Sequence, residues 1–306
     1  MKHNKRTVST TIPAQSLIYG FSCVFALPVI AEDSDTMEVM TITAHKQDIA
    51  NYKTGETSTS TGMDLSYLET PQSVTSVSEE AMKEQQLNSV VDVMNSVSSV
   101  YARPMDNDRY TVSARGVDIS TILYDGVPIT YDTRFNYGDN LMDTAIYERI
   151  EVVRGANGLM IGAGEPSASI NLIRKRPTHD FNANVSVGTG SWNLKRGVVD
   201  ISGSVNSDEN IRARLVAVHQ ERDSYLDRYE QNRSTLYGVI EADLTNDTLL
   251  TIGADYQNNE PKGTMAGGLP LFNSDGTRTN YSTSATTAPD WEIGRASCRE
   301  RVCLYV

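Results

Sequence analysis

The side chains that most often bind metals or act as nucleophiles are few and scattered in this chain. Its four histidines lie far apart, at His3, His45, His179 and His219. Its three cysteines all lie near a chain end, at Cys23, Cys298 and Cys303. Neither set has the close spacing of a metal site or of a nucleophile with its base. We therefore predict no catalytic residues, no metal ligands and no enzyme activity.

A glycine-rich stretch at residues 154–164 contains four glycines, Gly155, Gly158, Gly162 and Gly164. Such loops can hold phosphate groups, but the Gly-Lys-Ser/Thr sequence of a phosphate loop is missing here. The glycines also do not open a helix after a strand, as a dinucleotide-binding loop requires. We interpret them as positions where strands turn and pack closely.

The composition excludes two classes of protein. Lys and Arg number 27 against 39 Asp and Glu, and the net charge of −12 has the wrong sign for a nucleic-acid-binding protein. Mean hydropathy is −0.37, and a helical membrane protein needs long apolar runs. A membrane β-barrel is not excluded, because its strands alternate and are polar on average.

Both chain ends differ from the middle. A basic start (Lys2, Lys5, Arg6) precedes a mostly apolar stretch at 17–31, and small residues precede Glu32. This layout predicts a cleaved export signal over 1–31, with an anchor helix as the alternative. Residues 292–306 resemble translated sequencing-adapter sequence and lack strand alternation, so we expect them to be an artefact that truncates the reading frame.

Residues 32–65 are polar and are predicted to be flexible. They contain one short apolar motif at 37–44, in which Val39, Thr41 and Thr43 alternate with Met40 and Ile42. An extended motif of this kind can add a strand to the sheet edge of another protein. A plain linker is the alternative.

Residues 66–178 have the pattern of a compact α+β unit. Strands are predicted at 73–77, 111–115, 121–124, 149–153 and 170–173. Ser78 is predicted to cap one helix and Asn88 a second helix, whose inner face would be Val90, Val91 and Met94. The pair Asp125-Gly126 predicts a turn.

After Pro177 the pattern changes to five alternating strands of about 9–11 residues, the length that crosses a bilayer when tilted. They centre on residues 181–188, 196–203, 211–218, 235–244 and 250–257. A soluble sandwich would alternate equally well. The charges favour a membrane barrel, because they all fall on one face: Arg212, Arg214, Glu241, Asp243 and Asp255.

Several sequences carry a family resemblance. Residues 143–177 read DTAIYERIEVVRGANGLMIGAGEPSASINLIRKRP, and ETPQSVTSVSEEAMKEQQ, SARG and YDGVP precede them at 69–86, 113–116 and 124–128. This pattern resembles the plug of TonB-dependent outer-membrane receptors for ferric siderophores. The ferric-coprogen and rhodotorulic-acid (hydroxamate) receptors are the most similar subfamily, and pyoverdine receptors are the alternative.

The resemblance implies an α+β plug followed by the first strands (179–291) of a 22-stranded antiparallel transmembrane β-barrel. It implies a receptor in the outer membrane of a Gram-negative bacterium, in contact with its lipid and monomeric. The receptor would bind a ferric siderophore that itself holds the iron, with no cofactor. Import would use energy from TonB and its ExbB/ExbD complex. An exported adhesin or enzyme, or a porin, is a more distant alternative.

The resemblance also assigns residues. The TonB box falls on Met37, Glu38, Val39, Met40, Thr41, Ile42, Thr43 and Ala44. Arg115 and Arg154 match plug arginines that face barrel-wall glutamates, and Glu151 is expected in the same plug–barrel lock. Candidates for siderophore binding combine aromatic faces with donors: Arg103, Tyr110, Tyr131, Arg134, Phe135 and Tyr137.

Overall fold

A computed structural model of the chain describes residues 55–130, 142–155, 166–245, 247–265, 267–288 and 299–305. The predicted export signal, the 37–44 motif, residues 156–164 and the candidates Tyr131, Arg134, Phe135 and Tyr137 lie outside these ranges. Within them, no helix has the length and apolar character needed to cross a membrane.

The first half of the described chain is a mixed α/β unit, as predicted. Its elements, in chain order, are β1 (Glu56–Thr57), β2 (Leu65–Ser66), β3 (Ser73–Ser78), α1 (Glu79–Glu84), α2 (Val90–Ser96), β4 (Val100–Pro104), β5 (Tyr110–Ala114), β6 (Val117–Asp118), β7 (Thr121–Tyr124), β8 (Val127–Thr130), a 3-10 turn (Thr144–Ile146), β9 (Tyr147–Arg154) and β10 (Ala168–Arg174).

These strands form three sheets. The central one has the order β3-β9-β10-β7-β8, and β10 and β7 are its parallel pair. Strands β4, β5 and β6 form a second sheet, and β1 pairs with β2. The core lies between the central sheet and helix α2, where Met94, Ile150 and Leu172 are fully buried.

Both short helices begin at capping serines. Ser78 accepts a hydrogen bond from the backbone N–H of Ala81, which confirms its predicted role. The predicted cap Asn88 is wrong by one residue. Ser89 caps α2 instead, because its hydroxyl accepts from Asp92 N while the Asp92 carboxylate accepts from Ser89 N. This reciprocal pair satisfies two backbone donors that the helix leaves open.

The second half is one antiparallel sheet whose order follows the chain. Its strands are β11 (Asn182–Gly190), β12 (Leu194–Ser204), β13 (Ile211–Asp223), β14 (Glu230–Thr245), β15 (Thr248–Lys262) and β16 (Arg299–Tyr305). Strands β13, β14 and β15 are longer than predicted, because polar residues beyond the apolar stretch continue the pairing. The connection between β13 and β14 is residues 224–229.

Strand β16 lies in the tail, whose residues lack the alternation typical of a strand. It pairs with β15 from Thr251↔Tyr305 to Gln257↔Arg299. The physical reason is that the free edge of β15 presents unpaired backbone groups, which an extended segment can satisfy regardless of side-chain alternation.

The burial of this sheet is the reverse of that in a soluble protein. On β13, Leu215 is 47% exposed while its neighbour Val216 is fully buried. On β14, Ile240 is 53% exposed while Glu241 is 4% exposed. The charged face packs on the first half of the chain, and the apolar face is left uncovered. This arrangement favours the wall of a membrane barrel over the soluble sandwich.

Candidate functional site

Two of the predicted ligand-binding residues lie on the hairpin of β4 and β5. Arg103 is exposed on β4 opposite Thr111, and Tyr110 pairs with Pro104 one step along. Side chains alternate along a strand, so Arg103 and Tyr110 project from opposite faces of the hairpin. Tyr110 packs against the core, and burial raises the pKa of its hydroxyl. The structure therefore leaves Arg103 as the freer donor of the two.

The turn of this hairpin contacts the ends of the sheet strands. The amide of Asn107 donates to Gly263 O (3.3 Å) and accepts from Met265 N (2.9 Å). The Tyr229 hydroxyl donates to Asp108 Oδ1 at 2.6 Å. Burial raises the pKa of Asp108 to about 6, against the hydrogen bond from Tyr229, which favours the charged carboxylate.

A second contact fixes the chain next to the candidates at 131–137. Asp143 is 1% exposed and forms a two-pronged ion pair with Arg196 of β12, at 2.5 and 2.8 Å. The backbone N–H of Asp143 also donates to Gln257 on β15. A two-pronged arginine–carboxylate pair fixes orientation as well as distance. Asp143 is thus held against the sheet through both its side chain and its backbone.

Three consecutive basic residues at the end of β10 meet acids of the sheet, and we call Arg174, Lys175 and Arg176 the basic clamp. Arg174 pairs with Asp255 at 3.0 Å, and both side chains are 4% exposed. Lys175 pairs with Asp200 at 3.0 Å. Arg176, at 69% exposure, lies 3.7 Å from Glu241.

The basic clamp also has partners on the side of the mixed α/β unit. Arg174 bonds Asp125 through Nε at 2.7 Å, and Lys175 pairs with Glu79 of α1 at 2.7 Å. Burial of Glu79 opposes ionisation, but Lys175 and Lys83 outweigh it and lower the pKa of Glu79. The clamp residues Arg174 and Lys175 therefore each join the two halves of the chain through acids on both sides.

Glu151, predicted in the plug–barrel lock, is held by a different set of contacts. It is fully buried and accepts hydrogen bonds from the hydroxyls of Thr57 and Thr59 and from Arg149 Nε. Thr59 in turn accepts from Asn171 Nδ2 at 2.7 Å. Arg149 lies on β9 with Glu151, and the two threonines lie in the N-terminal segment of the mixed α/β unit. Glu151 thus ties that N-terminal segment to the central sheet.

The two predicted lock arginines are close neighbours. Burial, and the charge of Arg115 nearby, lower the pKa of Arg154. Arg154 donates to Ser98 O, Ser73 Oγ and Thr75 Oγ1. These three acceptors are neutral oxygens. Arg115 is exposed, so its charge is open to partners beyond the described chain.

Residues 66–169 match the TonB-dependent Receptor Plug Domain. This region is a TonB-dependent receptor plug. The sheet that follows is the start of the receptor barrel, which agrees with its charged face lying on the plug.

The chain matches only part of the length of each individual relative. The ferripyoverdine receptor of Pseudomonas aeruginosa is 43% identical over 247 residues, which span 80% of this chain and 30% of that receptor. The ferric-pyoverdine 358 receptor of Pseudomonas putida is 40% identical over 79% of this chain and 29% of its own length. The chain thus spans about a third of these relatives.

A solved structure gives the same result. The crystal structure of the outer-membrane ferripyoverdine receptor of P. aeruginosa, bound to ferripyoverdine, aligns with a TM-score of 0.75 at 43% identity. It covers 78% of this chain and 32% of that one. The relatives are receptors and not enzymes, which confirms the predicted class. They favour pyoverdine receptors over the coprogen subfamily that we expected.

Sequence reasoning missed most of the contacts between plug and sheet. Asn107, Asp108, Asp143 and Lys175 carry them, and none was predicted as a site residue. The run Arg174-Lys175-Arg176 before Pro177 was the one available signal, because three adjacent cations at the end of a buried strand need acidic partners. The other three stand in ordinary loop or turn sequence.

Proposed function

We propose that this chain is the N-terminal part of an outer-membrane receptor that binds a ferric siderophore and imports it with energy supplied by TonB. The observation that carries the proposal is the plug packed on the charged face of a sheet whose opposite face is apolar and uncovered. Such a sheet suits a barrel wall with lipid outside and a folded plug inside. The complete barrel would have 22 strands.

The ligand we propose is a ferric pyoverdine, and a ferric hydroxamate of the coprogen type is the second candidate. Support for pyoverdine comes from the relatives named above. The proposed site is the outward tip of the plug, where Arg103 and Arg134 would donate to ligand oxygens and Tyr131, Phe135 and Tyr137 would offer aromatic faces. The siderophore would hold the iron, so the receptor needs no metal ligand of its own.

The proposed energy source acts on the TonB box at 37–44. TonB, driven by ExbB and ExbD, would pair with this segment as an added strand and pull it. The next segment along the chain is the one held by Glu151 through Thr57 and Thr59. A pull on the box therefore reaches the central sheet of the plug through these two threonines.

Transport of radioactive iron by cells that carry the full-length receptor tests this proposal. Thr41→Pro removes a backbone N–H that strand pairing needs, and Thr41→Ala keeps it. We expect Thr41→Pro to bind ferric siderophore normally and to lose uptake, while Thr41→Ala retains both. Uptake by Thr41→Pro cells equal to that of the parent would contradict TonB coupling through this segment.

A further inference from the structure

An apolar groove crosses the uncovered face of the sheet, on the side away from the plug. Its volume is about 570 Å³. Large exposed side chains form its walls: Phe181, Ile201, Leu215, Ile240 and Ile252. Glycine and alanine positions form its floor: Gly203, Ala213, Gly238 and Ala254. The strand register pairs Gly203 with Ala213 and Gly238 with Ala254. The groove therefore runs across four strands, a length of roughly 14 Å at the usual strand spacing.

Two glycines give the groove its shape. A Cβ on Gly203 would lie 3.0 Å from Phe181 Cα, so glycine lets Phe181 lie against the sheet and form the end wall. A Cβ on Gly238 would meet nothing within 4 Å. Gly238 pairs with Leu215 on one side and Ala254 on the other. The depth of the groove at Gly238 therefore comes from the missing side chain beside Leu215, and a larger residue there would fill it.

The groove opens at one end on the turn between β12 and β13, because Ser204 and Val205 also line it. Exposed acids lie beside this opening: Asp180, next to Phe181, and Asp208 and Glu209 in the turn. The arginine that follows the turn, Arg212, forms its 2.7 Å ion pair with Asp243 instead. The opening of the groove therefore carries an excess of negative charge at the point where the apolar face ends.

We propose that the groove binds one acyl chain of a phospholipid whose headgroup carries a free ammonium, as in phosphatidylethanolamine, and that Asp180, Asp208 and Glu209 select that headgroup. This inference rests on the proposed function in one respect, since it places the sheet in a membrane as a barrel wall. Lipid tails are as apolar as leucine, so close packing and not the hydrophobic effect holds the chain in the groove. The carboxylates attract an ammonium and repel an anionic headgroup that lacks one, as in phosphatidylglycerol.

Native mass spectrometry of the purified full-length receptor, mixed with equal amounts of phosphatidylethanolamine and phosphatidylglycerol, tests this proposal. Gly238→Leu fills the groove. Gly197→Leu is the control, because Gly197 lies on the same face outside the groove and a Cβ there also meets nothing within 4 Å. We expect the parent to retain phosphatidylethanolamine about tenfold over phosphatidylglycerol. Gly238→Leu should retain at least about threefold less of it, and Gly197→Leu the same amount as the parent.

A second variant tests the headgroup assignment by combining Asp180→Asn, Asp208→Asn and Glu209→Gln. It keeps the groove and removes the three charges, so we expect it to retain the two phospholipids equally. Circular dichroism verifies the sheet content of every variant. If Gly238→Leu does not fold, Ala254→Leu fills the same groove from the adjoining strand. Because the groove faces away from the plug, siderophore binding should be the same in all folded variants.

Three results would overturn the lipid site. One is equal retention of phosphatidylethanolamine by the parent and by the variant with a filled groove. Another is a preference for phosphatidylethanolamine that survives removal of the three charges. The third is a receptor dimer that Gly238→Leu alone dissociates, because the groove would then hold a second copy of the chain. A parent receptor that binds no ferric siderophore would refute the proposed function, while the lipid measurements would still decide whether the groove binds phospholipid.

Discussion

The hydroxyl of Thr57 donates a 2.6 Å hydrogen bond to Oε2 of Glu151, across 94 positions of the chain. Both side chains are buried, at 1% and 0% exposure. Glu151 lies on β9, which pairs with β3 on one side and β10 on the other. The N-terminal segment is therefore fixed to an inner strand of the plug by a charged hydrogen bond shielded from water, where such bonds are strong.

Thr57→Val should release this segment from the plug. Valine keeps the shape of threonine but leaves Glu151 with one donor fewer, which costs about 1–3 kcal/mol when the acceptor is buried. Hydrogen exchange of the amides at 56–60 should speed up accordingly, with ligand affinity unchanged. Thr61→Val is the control, because Thr61 is only partly buried and bonds Met63 O. Equal protection of these amides from exchange in both variants would show that the hydrogen bond to Glu151 does not hold the segment on the plug.

The basic clamp offers an internal comparison between two arginines. Arg174→Met removes the arginine that pairs with the buried Asp255, and the loss of one partner of a buried ion pair typically costs about 3–5 kcal/mol. Arg176→Met removes a 3.7 Å ion pair whose arginine is 69% exposed, and ion pairs of solvent-exposed side chains are worth about 1 kcal/mol or less. We predict faster hydrogen exchange at 168–174 in Arg174→Met and almost no change in the exchange rates in Arg176→Met. Similar effects of both substitutions would contradict a clamp built on buried charge.

The hairpin tip should depend on pH through Asp108. Its pKa of about 6 in the folded plug lies above the usual 3.8, so the fold favours the protonated acid. The stabilisation is complete below about pH 4 and is lost as the pH rises to about 6 and beyond. Oδ2 of Asp108 is buried without a hydrogen-bond partner among the described residues, which agrees with a penalty for the charged form.

Hydrogen exchange at 105–110, corrected for its intrinsic pH dependence, should therefore be slower at pH 5 than at pH 7.5. Besides burial, Asp106 raises the pKa of Asp108, whereas Tyr229, Gln231 and Arg109 lower it. Asp108→Asn carries no charge at either pH and should abolish the difference in exchange between pH 5 and pH 7.5. Asp118→Asn, at an exposed position, should preserve that difference. A pH difference that survives Asp108→Asn would assign the effect to another group.

The local features of the fold could be predicted from the sequence, because they depend on neighbours in the chain. The alternation of Arg212 and Arg214 with apolar neighbours placed the faces of the sheet. Ser78, as the predicted cap, placed the first helix. Strand β4 was missed, since Val100–Pro104 is short, ends in a proline and has only two small apolar residues, Val100 and Ala102, on its buried face. The strand in the tail was missed because its pairing comes from the edge of β15.

The site was less predictable, because its contacts join residues far apart in sequence. Asn107 meets Gly263 and Met265 through backbone atoms, which leave no pattern in the residue types. Glu151 was expected in the plug–barrel lock, yet its hydrogen bonds come from Thr57, Thr59 and Arg149. Local motifs also could not identify the subfamily, since plug signatures are shared among receptors for different siderophores.

Arg134 remains a prediction from the sequence, as it lies outside the described residues. Replacing it with alanine would remove a charged donor, worth about 1.5–3 kcal/mol, or roughly a 10- to 150-fold loss of affinity. Titration of the siderophore against full-length Arg134→Ala, with plug folding verified, measures this loss. Arg176→Ala is a matched control away from the proposed site. Unchanged affinity for every siderophore tested would leave Arg103 as the better candidate.

The most direct test of the account is a titration of the purified full-length receptor with ferric pyoverdines and with ferric coprogen, followed by tryptophan fluorescence. We predict saturable binding of at least one ferric pyoverdine, and binding of ferric coprogen at least about a hundredfold weaker, a difference of roughly 3 kcal/mol. Tighter binding of ferric coprogen would contradict the pyoverdine assignment. Failure to bind any ferric siderophore would contradict the proposed receptor function.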